Sequence, residues 1–135
     1  MMVKIPSSTK DSLPHNTVLL ERAQHEDRGS VDLELLQSAL LDSAYQGAIE
    51  LVDSFLELVA IDTADKATGM TALHLAVGRN HLDVVRLLVD RGASFLPDKQ
   101  GRMPTTIAAE CEVSEELCDF IVEAEAAAEA RAEGV

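Results

Sequence analysis

The chain has 135 residues, which is enough for one hydrophobic core and hardly for two. Apolar residues make up 47% of it but aromatic residues only 3%, with no Trp, so its core would consist of Leu, Val, Ile and Ala in close-packed helices. The formal net charge of −13 disfavours a nucleic-acid partner, because phosphate contacts need clustered Lys and Arg. We therefore predict an all-α protein that does not bind nucleic acid.

Acidic residues are concentrated in two segments of the chain. Residues 31–64 have a net charge of −7 without any Lys or Arg, and residues 110–135 have −8, whereas residues 65–109 have +2. Such segments would attract a basic protein partner. They are also explained by acidic helix faces that keep the protein soluble, which is the simpler interpretation.

The cysteine content and the absence of long apolar runs indicate a compartment. Cys111 and Cys118 are too few for a disulfide-stabilised secreted domain, and they lack the spacing of a zinc site. The first residues have no signal-peptide apolar run, and no stretch approaches the roughly 18 apolar residues of a membrane helix. We expect a soluble, cytoplasmic protein in a reducing environment.

The N-terminal region predicts an arm followed by a helix. Residues 1–13 are polar and are expected to be mobile. Turn and N-cap residues then precede the apolar run Val18-Leu19-Leu20, which predicts a helix over residues 14–28. Its apolar stripe is narrow, so this helix either caps the helices that follow or docks on a partner.

Two further helices are predicted before residue 60. The first has apolar residues at helical spacing up to Gly47. The second spans Ile49–Val59, and no glycine follows it, so its exit turn is poorly specified. Its predicted buried residues are Leu51, Val52, Phe55, Leu56, Leu58 and Val59.

The clearest pattern in the chain is the stretch Gly69–Gly92, which predicts a pair of short helices. Thr71 is placed to cap the first of them, whose apolar surface covers about two turns. Gly78-Arg79-Asn80 ends that helix. The second helix carries the apolar residues of Leu82–Val89 and ends at Gly92, which can adopt a positive φ.

The apolar positions of this stretch recur about one repeat length before and after it. Because a single helix pair cannot cover its own apolar face, such copies predict stacking of one pair on the next. Val85, Leu88 and Val89 correspond to Val52, Phe55 and Leu56 in the earlier copy, and to Leu117, Phe120 and Ile121 in the later copy.

The segment Thr71-Ala72-Leu73-His74-Leu75-Ala76 resembles the ankyrin box Thr-Pro-Leu-His-x-Ala, with Ala72 where the family has Pro. The resemblance implies an all-α fold, an α-solenoid of about three ankyrin-like helix pairs. The expected ankyrin-repeat domain covers residues 14–125, with the helix over 14–28 as its N-terminal cap. Its repeats lie near residues 32–64, 65–97 and 98–125, and an acidic helical tail follows at 126–135.

The third copy is degenerate. It keeps Gly101 and Pro104 but lacks the Leu and His of the box, and Glu112 stands where Gly or Asn is usual in the family. Pro104 is expected to open a first helix that runs through Ala109, and Ser114 is expected to cap a second helix. Terminal repeats are commonly atypical, because their outer face meets water.

His74 and His81 are the residues that would suggest catalysis. Neither has a nucleophile at a recognisable spacing, and the chain contains no hydrolase, metalloprotease or phosphate-loop motif. Both occupy positions where ankyrin repeats usually have His, whose ring nitrogens bond the backbone of a neighbouring turn. We predict that the protein is not an enzyme and has no metal, cofactor or small-molecule substrate.

The resemblance also implies where a partner would bind. In ankyrin repeats the partner usually lies across the finger-like connections, here residues 60–70 and 94–102, and the exposed side of the first helices. Tyr45 is either a binding hot spot or a residue that packs on the N-terminal helix. The corresponding partner-binding residues are Tyr45, Gln46, Lys66, Ala67, Thr68, Met70, Arg79, Lys99, Gln100, Arg102 and Glu110.

Four of these residues are basic and would form a strip on an otherwise acidic molecule: Lys66, Arg79, Lys99 and Arg102. This strip predicts a carboxylate-bearing partner. The function that the resemblance implies is non-catalytic protein–protein interaction, as an adaptor or regulatory subunit. The alternative is an acidic inhibitor or immunity-type protein that neutralises a basic enzyme or toxin. The identity of the partner is not encoded in the sequence.

Overall fold

The computed structural model describes residues 17, 18, 20 and 33–134. Residues 17, 18 and 20 are helical, and Leu20 is buried. The remainder of the predicted arm and of the capping helix lies outside the described residues, so the cap stays a prediction. From residue 33 onward the bounds of the helices are α1 Leu33–Gln46, α2 Ile49–Phe55, α3 Ala72–Gly78, α4 Leu82–Asp90, α5 Pro104–Cys111 and α6 Glu115–Gly134.

The six helices form three stacked hairpins in two layers. The first helices of the hairpins, α1, α3 and α5, pack on one another, and the second helices, α2, α4 and α6, form the other layer. The described residues contain no β-sheet, only an isolated bridge between Ala64 and Thr71. The prediction of an α-solenoid of three helix pairs is confirmed.

In the second-helix layer, two of the three repeated apolar positions that the sequence predicts are core positions, whereas Leu56 and Val89 at the third are only half-buried. Val52, Val85 and Leu117 are fully buried at one of them, and Phe55 and Leu88 are fully buried at the next. At that second position the last hairpin departs from the pattern, because Phe120 is only half-buried while Ile121 is fully buried. No further hairpin covers Phe120 on its outer side among the described residues.

Helix α2 is shorter than predicted, since it ends at Phe55 rather than at Val59. The chain leaves it through tightened turns, in which Leu58 N–H donates to Phe55 O at 2.9 Å. By contrast, α4 ends next to Gly92, whose φ of +90° allows an abrupt exit. Without such a glycine, α2 unwinds gradually, although Val59 remains buried.

The last hairpin begins and turns with different chemistry. Pro104 occupies the first turn of α5, and Ser114 Oγ accepts a hydrogen bond from Leu117 N–H at 3.2 Å, as predicted for the cap of α6. Helix α5 extends two residues beyond Ala109, to Cys111. Glu112 adopts the left-handed conformation with φ 54°. A left-handed residue with a side chain is strained by about 1 kcal/mol.

Helix α6 is the longest element and continues from the third hairpin into the acidic tail. Its 20 residues pass position 125 without a break, so no structural feature of the helix marks the predicted boundary between domain and tail. Thr105 Oγ1 donates to Glu125 Oε1 at 2.8 Å and ties this part of α6 to α5. The thiols of Cys111 and Cys118 lie on different helices, and both are free.

Candidate protein-binding surface

The Thr71–His74 box begins α3 with a reciprocal cap. Thr71 N–H donates to His74 Nδ1 at 3.1 Å, and His74 N–H donates to Thr71 Oγ1 at 3.4 Å. Because Nδ1 accepts, Nε2 carries the ring proton and donates to Arg102 O at 2.9 Å. Burial lowers the pKa of His74 below its ordinary value of 6.5, so the ring is neutral at pH 7.

The second histidine joins α3–α4 to the hairpin before it. His81 Nε2 donates to Tyr45 O at 3.0 Å, across the interface between the first and second hairpins. The expectation that both histidines bond neighbouring backbone is confirmed. His74 contacts the following connection and His81 the end of α1, so the second hairpin is fixed to both of its neighbours.

The connection of residues 60–70, which we call the first finger, is organised by Asp65. Asp65 N–H donates to Met70 O at 2.9 Å, and Gly69 N–H donates to Asp65 O at 2.7 Å. The Asp65 carboxylate accepts from Thr68 N–H at 3.0 Å and from Thr68 Oγ1 at 2.9 Å. These bonds close the finger into a tight turn that holds Thr68 and Met70 in fixed positions.

The connection of residues 94–102, the second finger, is organised by Asp98. The buried Asp98 carboxylate accepts from Gln100 N–H at 2.9 Å, Arg102 N–H at 2.8 Å and Arg102 Nε at 2.9 Å. Burial alone would raise the pKa of Asp98. The N–H and guanidinium of Arg102, together with Gln100 N–H, outweigh burial and hold that pKa below its ordinary value.

The two fingers are bonded to each other. Lys99 N–H in the second finger donates to Thr68 O in the first at 2.9 Å. Lys99 Nζ also donates to Lys66 O, and nearer the helices Ser94 N–H donates to Asp62 Oδ1 at 2.9 Å. These bonds therefore hold the two fingers in a defined position relative to each other.

Two members of the predicted basic strip are paired with carboxylates. Lys66 forms an ion pair with Glu34 of α1. Arg102 lies between Asp98 at 2.9 Å and Glu110 at 3.2 Å. Its hydrogen bond to the Asp98 carboxylate raises the pKa of the Arg102 guanidinium. The strip therefore presents less positive charge than its count of Lys and Arg suggests.

The other two basic residues contact neutral groups in the structure. The Arg79 guanidinium lies 4.7 Å from the centroid of the Tyr45 ring, which is cation–π geometry. Lys99 bonds the carbonyl of Lys66. Tyr45 itself is 42% exposed at the end of α1. Any contact that it makes with the predicted N-terminal helix lies outside the described residues.

Three predicted binding residues meet in a groove of about 290 Å³ between α1, the first finger and α3. They are Tyr45, Thr68 and Met70. Sequence reasoning missed Leu41 and Leu75, which also line it. Leu75 carried a usable signal, because it falls at the variable position of the Thr71–Ala76 box; nothing in the sequence distinguishes Leu41 from its buried neighbours.

The remaining predicted residues lie outside this groove. Ala67 and Gln100 are exposed in the first and second fingers, respectively, and Glu110 is exposed near the end of α5. Gln46 is half-buried, and its amide bonds Asp42 Oδ1 at 3.5 Å. The predicted residues outside the groove therefore lie in the two fingers and near the ends of α1, α3 and α5.

A wider groove of about 880 Å³ lies on the second-helix layer and was not predicted. Its walls include Ile49, Leu87 and Phe120, and its charged residues are two Asp and two Arg.

No helix in the described part of the chain has the length and apolarity needed to cross a membrane. In the same part of the chain, no group of three or more His, Cys, Asp or Glu side chains is arranged to hold a metal ion.

Comparison with known proteins agrees with the geometry. Residues 40–132 match the family model described as "Ankyrin repeats (3 copies)". A sheep (Ovis aries) protein named "Ankyrin repeat, SAM and basic leucine zipper domain-containing protein 1" is 32% identical over 93 residues, and so is its cattle (Bos taurus) counterpart. The match covers 67% of this chain but only 19% of each relative. With three stacked helix pairs and a box histidine bonded to the next finger, this chain belongs to the ankyrin repeat family.

Proposed function

We propose that this protein is a non-catalytic adaptor or regulatory subunit that binds a protein partner through its two fingers and the exposed face of its first helices. Ankyrin repeats are generally protein–protein interaction modules and are typically non-catalytic. The observation that carries the proposal is the groove in which Tyr45, Met70 and Leu75 leave apolar surface accessible beside the fingers. Part-exposed aromatic and Met side chains are enriched at binding interfaces.

Rigidity of the fingers supports this proposal. The turns closed by Asp65 and Asp98 and the Lys99–Thr68 bond hold the backbone of both fingers before any partner arrives. A preorganised surface loses less conformational entropy on binding, so more of the contact energy appears as affinity.

Affinity capture with matched variants tests the proposal. The wild-type chain, Met70→Glu and Val122→Glu would each be used to capture proteins from native lysate, followed by mass spectrometry. Val122 is 51% exposed on α6 and is the control for a new carboxylate on the surface. We expect specific partners to be lost with Met70→Glu and kept with Val122→Glu. Partners that survive Met70→Glu and are lost with Val122→Glu would move the binding surface to α6.

The acidic inhibitor is a second candidate, and the exposed face of α6 favours it. Glu115, Asp119 and Glu123 are all exposed there, in the segment with a net charge of −8. An inhibitor of this kind would bind a basic enzyme with an affinity that falls steeply as NaCl is raised, since exposed charges are screened within about 10 Å at 0.1 M salt. Binding that survives Met70→Glu and disappears at high salt would select this function.

We further propose a cytoplasmic location. The free thiols of Cys111 and Cys118 support a reducing compartment. Fractionation of cells that express the tagged full chain tests this directly, and recovery in an oxidising compartment would contradict it.

A further inference from the structure

We infer that the groove between α1 and the first finger takes an extended peptide segment in which an apolar side chain is adjacent to Lys or Arg. This inference deepens the proposed function and rests on it. The partner would contribute positive charge, whereas the basic residues of the fingers suggest a carboxylate-bearing partner.

The groove has two connected parts. The part described above, lined by Tyr45, Met70 and Leu75, adjoins a pocket of about 170 Å³, with which it shares the wall residues Ser38, Leu41 and Asp65. The first part, at about 290 Å³, lies near the lower end of ligand-pocket volumes and suits a single apolar side chain. The second continues along α1 toward Glu34, so an occupant that fills both must extend along the helix.

Carboxylates dominate the walls of both parts. Among the described residues that line the two parts, Glu34, Asp42 and Asp65 are acidic and Lys66 is the one base. No Lys or Arg lies anywhere in residues 31–64, so α1 itself offers no compensating charge. A cationic side chain next to the apolar anchor is therefore the charge that complements this groove.

The Lys66–Glu34 ion pair does not close the groove to such a ligand. Its side chains are 80% and 63% exposed, and exposed pairs of this kind contribute about 0–1 kcal/mol. A partner cation can replace Lys66 at the Glu34 carboxylate with little loss. The Tyr45 ring already carries one guanidinium, that of Arg79, so a second cation would be accommodated farther along α1, in the part lined by Glu34.

Selection of random dodecapeptides displayed on phage, with the full chain immobilised, tests the inference. The enriched sequences would then be synthesised with a fluorescein label and titrated by fluorescence polarisation at 50 mM and 300 mM NaCl. We expect Lys or Arg within about two positions of an apolar residue in the enriched peptides, and weaker binding at the higher salt.

Two double variants with the same change in net charge locate the effect. Glu34→Gln with Asp42→Asn removes carboxylates from the groove, whereas Glu50→Gln with Glu57→Gln removes exposed carboxylates from the same acidic segment outside it. We expect the first pair to weaken peptide binding about five-fold, or about 1 kcal/mol, and the second less than two-fold. Circular dichroism and thermal unfolding would verify that both remain folded.

The outcomes separate this inference from the proposed function. Peptides that are acidic or uncharged, or that respond equally to both double variants, overturn the inference while Met70→Glu still abolishes binding. Peptides that bind Met70→Glu as well as wild type, or a selection that enriches nothing, overturn the inference and the proposed use of this groove together.

Discussion

The second and third hairpins share one architecture but use different residues to build it. The second begins with the reciprocal Thr71–His74 cap, whereas Met103 at the matching position makes no side-chain cap and Pro104 begins the helix instead. The second hairpin has described neighbours on both sides and the third on one side only. Sequence features typical of the family are therefore retained where a hairpin must contact two others.

The turns within the two hairpins differ in the same way. Asn80 and Glu112 are both left-handed, but Asn80 Oδ1 also accepts a hydrogen bond from Ser114 N–H at 3.1 Å, across to the next hairpin. No side-chain hydrogen bond of Glu112 occurs in the described part of the chain. Asn80, in the middle hairpin, therefore both supplies the left-handed turn and bonds the next hairpin. Glu112, in the terminal hairpin, supplies only the left-handed turn.

The largest difference is expected in the core. Leu88→Ala in α4 should lower the free energy of unfolding by about 3–4 kcal/mol, because Leu88 is fully buried. Phe120→Ala, at the matching position of α6, should cost about 1–2 kcal/mol, because Phe120 is half-buried and packs on one side. Urea unfolding followed by circular dichroism measures both. Equal losses would show that the outer face of α6 is covered.

The box histidine should be the next most sensitive position. His74→Ala removes the acceptor for Thr71 N–H and one of the two donors to Arg102 O, which keeps only its bond from Asp98 N–H. Because it also empties a fully buried position, we expect a loss of about 2–3 kcal/mol. Thr106 stands at the corresponding place in the third hairpin and is exposed. Thr106→Ala should change stability by less than about 0.5 kcal/mol. A comparable loss for both variants would contradict the division between inner and terminal hairpins.

Replacing the two left-handed turn residues by Gly should change the stability in opposite directions. Glu112→Gly relieves a left-handed residue and should stabilise the protein by about 0.5–1 kcal/mol. Asn80→Gly keeps the conformation but loses the bond from Ser114 N–H, and should destabilise by about 1 kcal/mol. Thermal unfolding of the two variants decides this. Effects of the same sign would mean that Asn80 acts through conformation alone.

The smallest expected effect is a pH dependence of stability that arises from His74 in the second hairpin. Since the pKa of His74 is lowered in the folded state, the unfolded chain binds the extra proton first. Stability should be fully present above the ordinary pKa of 6.5 and should decline as the pH falls below it. His74→Gln should flatten this slope in urea titrations between pH 7.5 and 5.5. An unchanged slope would assign the dependence to another group.

Much of the fold was predictable because it depends on local chemistry and on a repeated apolar pattern. The Thr71 and Ser114 caps, the exit at Gly92 and the stacking of three helix pairs follow from residue types at fixed spacing. The end of α2 was not predictable, because no single residue stops the helix and its last residue depends on how the tightened turns pack.

The contacts of the proposed binding surface were less predictable than the fold. Lys66 and Glu34 are 32 residues apart, and only the stacking of the first finger on α1 brings them together. The sequence shows the charges but not their partners, so the four basic residues suggested a free cationic strip. Leu41 lines the groove for the same reason, since its position relative to the first finger is a property of the stack.

The bond between the two fingers gives one residue an importance that its own contacts do not suggest. A Cβ atom on Gly69, which has a φ of +77°, would lie 2.7 Å from the backbone nitrogen of Lys99. Any side chain there would force the second finger away from the first and break the Lys99–Thr68 bond. The spacing between the two fingers thus depends on the absence of a single methyl group, at a position that contributes no side chain.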